Sequence, residues 1–151
     1  MTSLDLRWNE ISDISALQGL TNLTNLNLDT NQVNDIDALN SLTNLTRLSM
    51  VQNQISDIGA LGGLTNLEIL QLNVNQISDI NPLKALTNLT TLDMFQNQIN
   101  DISVLDGMIK LEQLSLDDNQ ISDAGVLMGL TNLKRLALLG NPINEEIFKM
   151  L

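Results

Sequence analysis

Asparagine recurs at intervals of 22 residues along almost the whole chain. Leu or Met stands three residues before each copy, and Ile or Val stands two residues after it. The copies are Asn9, Asn31, Asn53, Asn75, Asn97, Asn119 and Asn141. Equal steps of this length indicate a repeat protein, because a unit this short cannot bury its own apolar face. The chain is therefore expected to stack about seven units into a solenoid with one continuous core.

The order of apolar residues within a unit predicts its local structure. Leu26 and Leu28 alternate with polar neighbours, which indicates a short strand. Ile36, Leu39 and Leu42 then recur every third residue, which is typical of a 3₁₀ or short α segment with one buried face. Each unit is thus strand, turn, short helix and turn, and the strands are expected to form one parallel sheet.

Two polar columns are predicted to satisfy backbone groups. The repeated Asn supplies two donors and one acceptor oxygen where the chain turns after each strand. An Asp four residues further on is expected to cap the N–H groups of the following helical segment. These residues are Asp13, Asp35, Asp57, Asp79, Asp101 and Asp123. Asn44, after the helical segment, is expected to adopt the left-handed conformation that ends a helix.

A metal site is the alternative interpretation of the Asp row. Stacked units lie about 4.8 Å apart, so the six carboxylates would form a line. Calcium requires about six to eight oxygen ligands in a wrapped cage, whereas each unit supplies one carboxylate. Capping is therefore the favoured role, and neither a metal nor another cofactor is predicted.

Composition argues against several classes of function. The 151 residues include no His, Cys or Tyr, which removes imidazole catalysis, thiolate chemistry and most known triads. Eighteen acidic against seven basic residues give a net charge of −11, which disfavours nucleic acid as a partner. No apolar run is long enough to span a membrane, and no signal peptide is recognisable at the N-terminus. We expect no enzymatic activity, and the localisation stays unknown.

The pattern L-x-x-L-x-L-x-x-N-x-I resembles the leucine-rich repeat. The 22-residue length and the wording T-N-L…N-Q-I-x-D-I are similar to bacterial internalins. This resemblance implies an α/β fold: a right-handed, curved β/3₁₀ solenoid with its parallel sheet on the concave face. It also implies that another protein binds to that face. Two alternatives remain open: an intracellular subunit resembling the 22-residue-repeat regulators of phosphatases, and an engineered or structural scaffold without a ligand.

The two ends of the array are expected to differ. Residues 1–143 form the repeat array, and residues 144–151 have the pattern of a capping helix. Ile147, Phe148 and Leu151 would close the core at that end. The first unit has no recognisable cap, so its strand edge is expected to fray or to mediate self-association.

The candidate binding site is predicted from the outward-facing positions of the strands. Trp8 and Phe95 occupy such positions, and exposed aromatic side chains are typical of interfaces. Phe95 is expected to lie in a mid-array patch with a polar rim and to be the largest apolar surface on an otherwise polar sheet. The candidate partner-binding residues are Arg47, Val51, Ile69, Gln71, Asn73, Val74, Asp93 and Phe95. Seven short strands offer less than about 500 Å², which is below the ~800 Å² per partner of a standard interface.

Overall fold

A computed structural model of the chain describes residues 1–149. Seven strands of three residues each form one sheet, and every neighbouring pair is parallel and offset by 22 residues. The strands are β1 (Ser3–Asp5), β2 (Asn25–Asn27), β3 (Arg47–Ser49), β4 (Ile69–Gln71), β5 (Thr91–Asp93), β6 (Gln113–Ser115) and β7 (Arg135–Ala137). The sheet follows chain order and stays open, which confirms the predicted solenoid.

Each strand except β7 is followed by a 3₁₀ segment on the convex side of the solenoid. These segments are Ser15–Leu17, Asp37–Ser41, Gly59–Leu61, Asn81–Ala85, Ser103–Leu105 and Gly125–Gly129. The last unit instead has a four-residue α-helix, α1 (Glu145–Phe148). The predicted β/3₁₀ unit is therefore correct for the six units that precede α1.

The core is aliphatic, as the scarcity of aromatic residues requires. Within the fourth unit, Leu67, Leu70, Leu72 and Ile77 are fully buried, and the same columns are buried in the neighbouring units. Burying one such side chain stabilises the fold by about 1.5–3 kcal/mol relative to leaving it in water. Because each unit buries its face against the next one, the stack rather than the single unit is stable.

The Asn column has the predicted role. The amide of Asn97 donates to the carbonyl oxygens of Met94 in its own unit at 3.1 Å and of Leu72 in the preceding unit at 3.0 Å. Its Oδ1 accepts from the backbone N–H of Ile77, also in the preceding unit, at 3.0 Å. The same bonds recur at every Asn from Asn31 to Asn141, so the column joins consecutive units throughout the stack.

The Asp column also has the predicted capping role. Each of the six carboxylates accepts a hydrogen bond of 2.8–2.9 Å from the backbone N–H two residues ahead, at the first residue of the 3₁₀ segment. For example, Asp57 accepts from Gly59. Among residues 1–149, no group of three or more acidic side chains is arranged to hold a metal ion.

The prediction of a left-handed Asn44 is wrong. Asn44 is absent from the positive-φ positions of residues 1–149, and its side chain instead donates to the carbonyl of Thr21 in the preceding unit at 2.8 Å. Asn66, Asn88 and Asn132 make the equivalent bond. These residues are therefore a second set of links between units and do not terminate a helix by their backbone conformation.

The left-handed residues lie instead in the turn that follows each strand. One position per unit has φ between 52° and 73°, and all seven units share it. The residues are Trp8, Thr30, Gln52, Val74, Gln96, Asp118 and Gly140. The sequence pattern places Trp8 and Val74 on the strands, with side chains pointing out of the sheet. They are turn residues, because the chain has already left the extended conformation there.

The C-terminal end is only partly closed by the residues that the structure describes. Asn144 caps α1 by accepting from the Ile147 N–H at 2.9 Å, and Ile147 packs against the core. The predicted contacts of the Phe148 side chain and of Leu151 lie outside the described part of the chain. In β7 Leu136 is 38% exposed, whereas its counterpart Leu114 in β6 is 2% exposed. The capping role of residues 144–151 and self-association through the first unit both remain predictions.

Candidate protein-binding surface

The concave face is built from the outward positions of the seven strands. Backbone pairing continues into the turns beyond the strands: the Gln52 N–H donates to the Asn73 carbonyl at 2.8 Å, and the Val74 N–H donates to the Phe95 carbonyl at 2.9 Å. Val51, Asn73 and Phe95 are consequently neighbours across three units. The structure thus brings these three candidate residues together in one lateral column.

Polar and apolar side chains alternate in this column from the second unit to the seventh. Its members are Asp29, Val51, Asn73, Phe95, Asp117 and Leu139. The polar side chain of each pair accepts a hydrogen bond from the backbone N–H of the apolar residue that follows in the stack. These bonds measure 2.8 Å from Val51 to Asp29, 3.0 Å from Phe95 to Asn73 and 2.6 Å from Leu139 to Asp117. We call these six residues the alternating column.

Asn73 differs from its predicted place at the rim of the patch. It is only 7% exposed, because its side chain lies between Val51 and Phe95 and bonds to the backbone of the latter. It therefore positions Phe95 and offers little surface to a partner. Asn73 was predicted from the sequence to belong to the site, but the backbone-supporting role that it shares with Asp29 and Asp117 was missed, although the alternation of these polar residues with apolar ones was a visible signal.

Ile69 is not part of the same apolar patch as Phe95. It lies at the start of β4, four residues before Asn73, which corresponds to about 13 Å along an extended chain. Gln71 and Asp93 lie between the two ends and are joined by a hydrogen bond of 2.9 Å. The candidate residues thus form two apolar contact points, Ile69 at one end of the strands and Val51 with Phe95 at the other, separated by a polar bridge.

The charged side chains of the concave face divide into two groups. All four strand-column carboxylates accept hydrogen bonds within the protein. Asp5 accepts from the Arg7 guanidinium, Asp29 from the Ser49 hydroxyl and Val51 amide, Asp93 from Gln71, and Asp117 from the Leu139 amide. The guanidinium bond from Arg7 also lowers the pKa of Asp5. Within residues 1–149, the side chains of Arg47 and Arg135 have neither a hydrogen bond nor an ion pair.

Exposure of the apolar residues differs from expectation. Phe95 is half-buried, whereas Leu139 is 80% and Trp8 is 76% exposed. The prediction that Phe95 is the largest apolar surface of the sheet is therefore wrong, since Leu139 of the same column exposes more. Leu139 belongs to an open apolar face at the C-terminal end, together with Leu136, Leu138 and Ile143. The candidate site predicted from the sequence does not include this face.

No helix in residues 1–149 is long and apolar enough to cross a membrane. The described side chains also leave no buried nitrogen or oxygen atom without a hydrogen-bond partner. The interior polar groups are thus used in holding the units together. The variable chemistry of the protein lies on its surface.

A parallel sheet linked by 3₁₀ segments and an Asn column at intervals of 22 residues defines a solenoid of leucine-rich repeats. Profiles of leucine-rich repeats match residues 1–41, 43–85, 65–107 and 107–128. Two solved structures of Listeria monocytogenes internalins are similar as well. The chain belongs to the leucine-rich repeat family and, within it, to the internalins.

The first internalin, inlF, is 41% identical with a TM-score of 0.96, and the match covers 99% of this chain and 44% of that one. The second, internalin C2 (inlC2), is 37% identical with a TM-score of 0.80 and covers 91% of this chain and 71% of that one. The chain thus spans less than half the length of inlF. No curated protein sequence matches it significantly. Leucine-rich repeat proteins generally serve as scaffolds for protein interaction.

Proposed function

We propose that this chain recognises a partner protein through the concave face of its sheet and performs no catalysis itself. The partner contacts the apolar members of the alternating column, Val51 and Phe95, and the polar groups around Gln71 and Asp93. Val74, in the turn beside Phe95, extends this contact. Ile69 and Arg47 form its other end.

The alternating column is the observation that best supports this proposal. A solvated strand surface has no folding requirement for Phe, and the phenyl ring of Phe95 remains partly accessible to solvent. The Asn73 side chain holds the backbone of Phe95 by a 3.0 Å hydrogen bond, so the ring projects from a fixed position. Aromatic side chains fixed in this way contribute strongly to binding, because little conformational entropy is lost when the partner docks.

The proposal is tested by affinity capture from a host-cell surface extract, with the wild-type chain and variants as bait. Phe95→Ala should weaken capture of the principal bound protein by about 2 kcal/mol, or roughly 30-fold. Because Phe95 is half-buried, its loss should destabilise the fold by less than the ~3–5 kcal/mol of a fully buried Phe. Measured by titration, the change in affinity should therefore exceed that expected from any loss of folded protein.

Two control variants make the experiment specific. Met128→Ala removes an exposed apolar side chain from the convex side, where Met128 is 47% exposed, and should leave capture unchanged. Leu92→Ala removes a fully buried side chain from β5 and should lower stability first. If Met128→Ala abolishes capture while Phe95→Ala does not, the partner docks on the convex side and the proposal is wrong.

A further inference from the structure

Two arginines of the concave face, Arg47 and Arg135, have no hydrogen bond or ion pair among residues 1–149, although the whole chain carries a net charge of −11. The four carboxylates of the strand columns, Asp5, Asp29, Asp93 and Asp117, each accept a hydrogen bond from the protein itself and keep their negative charge. Arg47 and Arg135 have no such partner among residues 1–149, where the ion pairs are Arg7–Asp5, Lys134–Glu112 and Lys149–Glu145. Arg47 and Arg135 are thus the two guanidinium groups of the strand columns that no carboxylate of the described residues already pairs with.

Arg47 has surroundings that Arg135 lacks. It is exposed at the start of β3, and the sheet register places it directly beside Ile69 on β4 and beside the uncharged Asn25 on β2. It also lines a shallow depression of about 410 Å³ on the concave face, together with Ile69, Gln71 and Asp93. A partner docked on this concave surface excludes water from both the guanidinium and the apolar side chain beside it. An ion pair formed there is therefore less weakened by solvent than one on an open surface.

Arg135 lies on β7, at the edge of the sheet, and its neighbour in the strand register is Gln113. Four strand spacings separate it from Arg47, which is about 19 Å. One anionic group cannot pair with both arginines at this distance. A polyphosphate chain is a poor fit as well, because it carries several charges, the two cations are isolated from each other, and the acidic protein repels the charges left unpaired more than it repels a single carboxylate.

We infer that the partner presents a short segment in which an Asp or Glu lies next to an apolar residue. The carboxylate pairs with the Arg47 guanidinium, and the apolar side chain packs on Ile69. This inference rests on the proposed function, since it specifies the chemistry of the partner at one end of the same face. Guanidinium and carboxylate match in a bidentate geometry. The concave face is too small for a standard interface between folded domains, which favours a short segment.

The test is a selection from a random peptide library displayed on phage, performed in parallel on the wild-type chain, Arg47→Gln and Arg135→Gln. The two variants change the net charge equally, so they separate local pairing from long-range electrostatics. Peptides enriched on the wild type should contain Asp or Glu adjacent to Leu, Ile, Val or Phe. Synthetic copies should bind Arg47→Gln at least tenfold more weakly, and should bind Arg135→Gln as they bind the wild type.

Each outcome decides the inference. The inference is supported if the preference for Asp or Glu disappears on Arg47→Gln and persists on Arg135→Gln. If the preference falls equally on both variants, a general charge effect explains it and the inference is wrong. Enrichment of basic peptides, or no enrichment on the wild type, also overturns it. A Phe95→Ala arm separates this inference from the proposed function. If the selected peptides bind Phe95→Ala more weakly but have no acidic preference, the proposed concave site is supported and the inference about Arg47 is wrong. If they bind Phe95→Ala and Arg47→Gln as well as they bind the wild type, both the proposed function and the inference are wrong.

Discussion

Replacing a central member of the Asn column tests whether that column holds the units together. In Asn97→Ala, three acceptor carbonyls lose a donor, and the backbone N–H of Ile77 loses its acceptor. The losses are unequal. The Leu72 carbonyl still accepts from Asn75, the Met94 carbonyl from Asn119, and the Phe95 carbonyl from the Val74 amide. The Ile77 N–H has no second acceptor among the described residues.

The expected cost follows from this inequality. An orphaned buried N–H costs about 1–3 kcal/mol, and each hydrogen bond lost to a carbonyl that keeps another partner costs about 0.5–1 kcal/mol. For one N–H and three carbonyls, the total is about 2.5–6 kcal/mol in the free energy of unfolding. The matched control is Asn9→Ala, because Asn9 is exposed and bonds only to the carbonyls of Leu6 and Arg7 in its own unit. Its loss should cost less than about 1 kcal/mol.

Urea denaturation followed by circular dichroism measures both variants across the whole solenoid. Trp8 is the single tryptophan, so its fluorescence reports on the first unit separately. Asn97→Ala should shift the midpoint of the dichroism transition well below that of Asn9→Ala. Equal midpoints would show that the Asn column contributes nothing beyond the bonds within each unit, and its role in joining the units would be refuted.

Three further predictions concern the turn, the caps and the ends of the stack. Val74→Gly should raise the free energy of unfolding by up to about 1 kcal/mol, because a β-branched residue at φ 59° is strained, and a lower melting temperature would refute this. Hydrogen bonds from Ser103 lower the pKa of Asp101 in the folded protein. The ionised Asp101 carboxylate therefore stabilises the fold fully above the unfolded pKa of about 3.9, and this stabilisation is lost as the pH falls through the pKa of the folded state. Asp101→Asn should accordingly be less stable than wild type at about pH 6, and the difference should vanish in acid; a constant difference would exclude this linkage. The Leu6 and Leu72 amides are both hydrogen-bonded in the sheet, but Leu6 should exchange hydrogen faster because its unit is covered on one side only, and equal rates would show that the array opens as one unit.

The period of 22 residues accounts for most of what the sequence predicts correctly. Once the units have equal length, Leu72 must stack on Met50 of the preceding unit, and the whole parallel register follows. The roles of Asn75 and Asp57 follow in the same way. A polar residue that recurs at one position of a buried turn has to satisfy the same backbone group in each unit.

The left-handed turn could not be predicted from residue types. Thr30 and Val74 are β-branched, and such residues avoid positive φ, so local preference points away from the observed conformation. The stack overrides that preference, because the N–H groups of both residues donate to the neighbouring unit across the turn. Gly140 in the last unit was the one sequence signal, since Gly is the residue that adopts this conformation without strain.

The candidate site was harder to predict than the fold, because variability alone does not distinguish a ligand contact from a support. Asn73 and Phe95 vary in the same column, yet the structure buries Asn73 to hold the backbone of Phe95. Asp29 supports Val51 and Asp117 supports Leu139 by the same bond. A polar residue in this column therefore bonds to the backbone of the apolar residue in the next unit and helps to position it. It follows that substitutions at Asn73 should affect binding through the position of Phe95. Each polar residue of the column and the apolar residue of the next unit therefore contribute to binding as a pair.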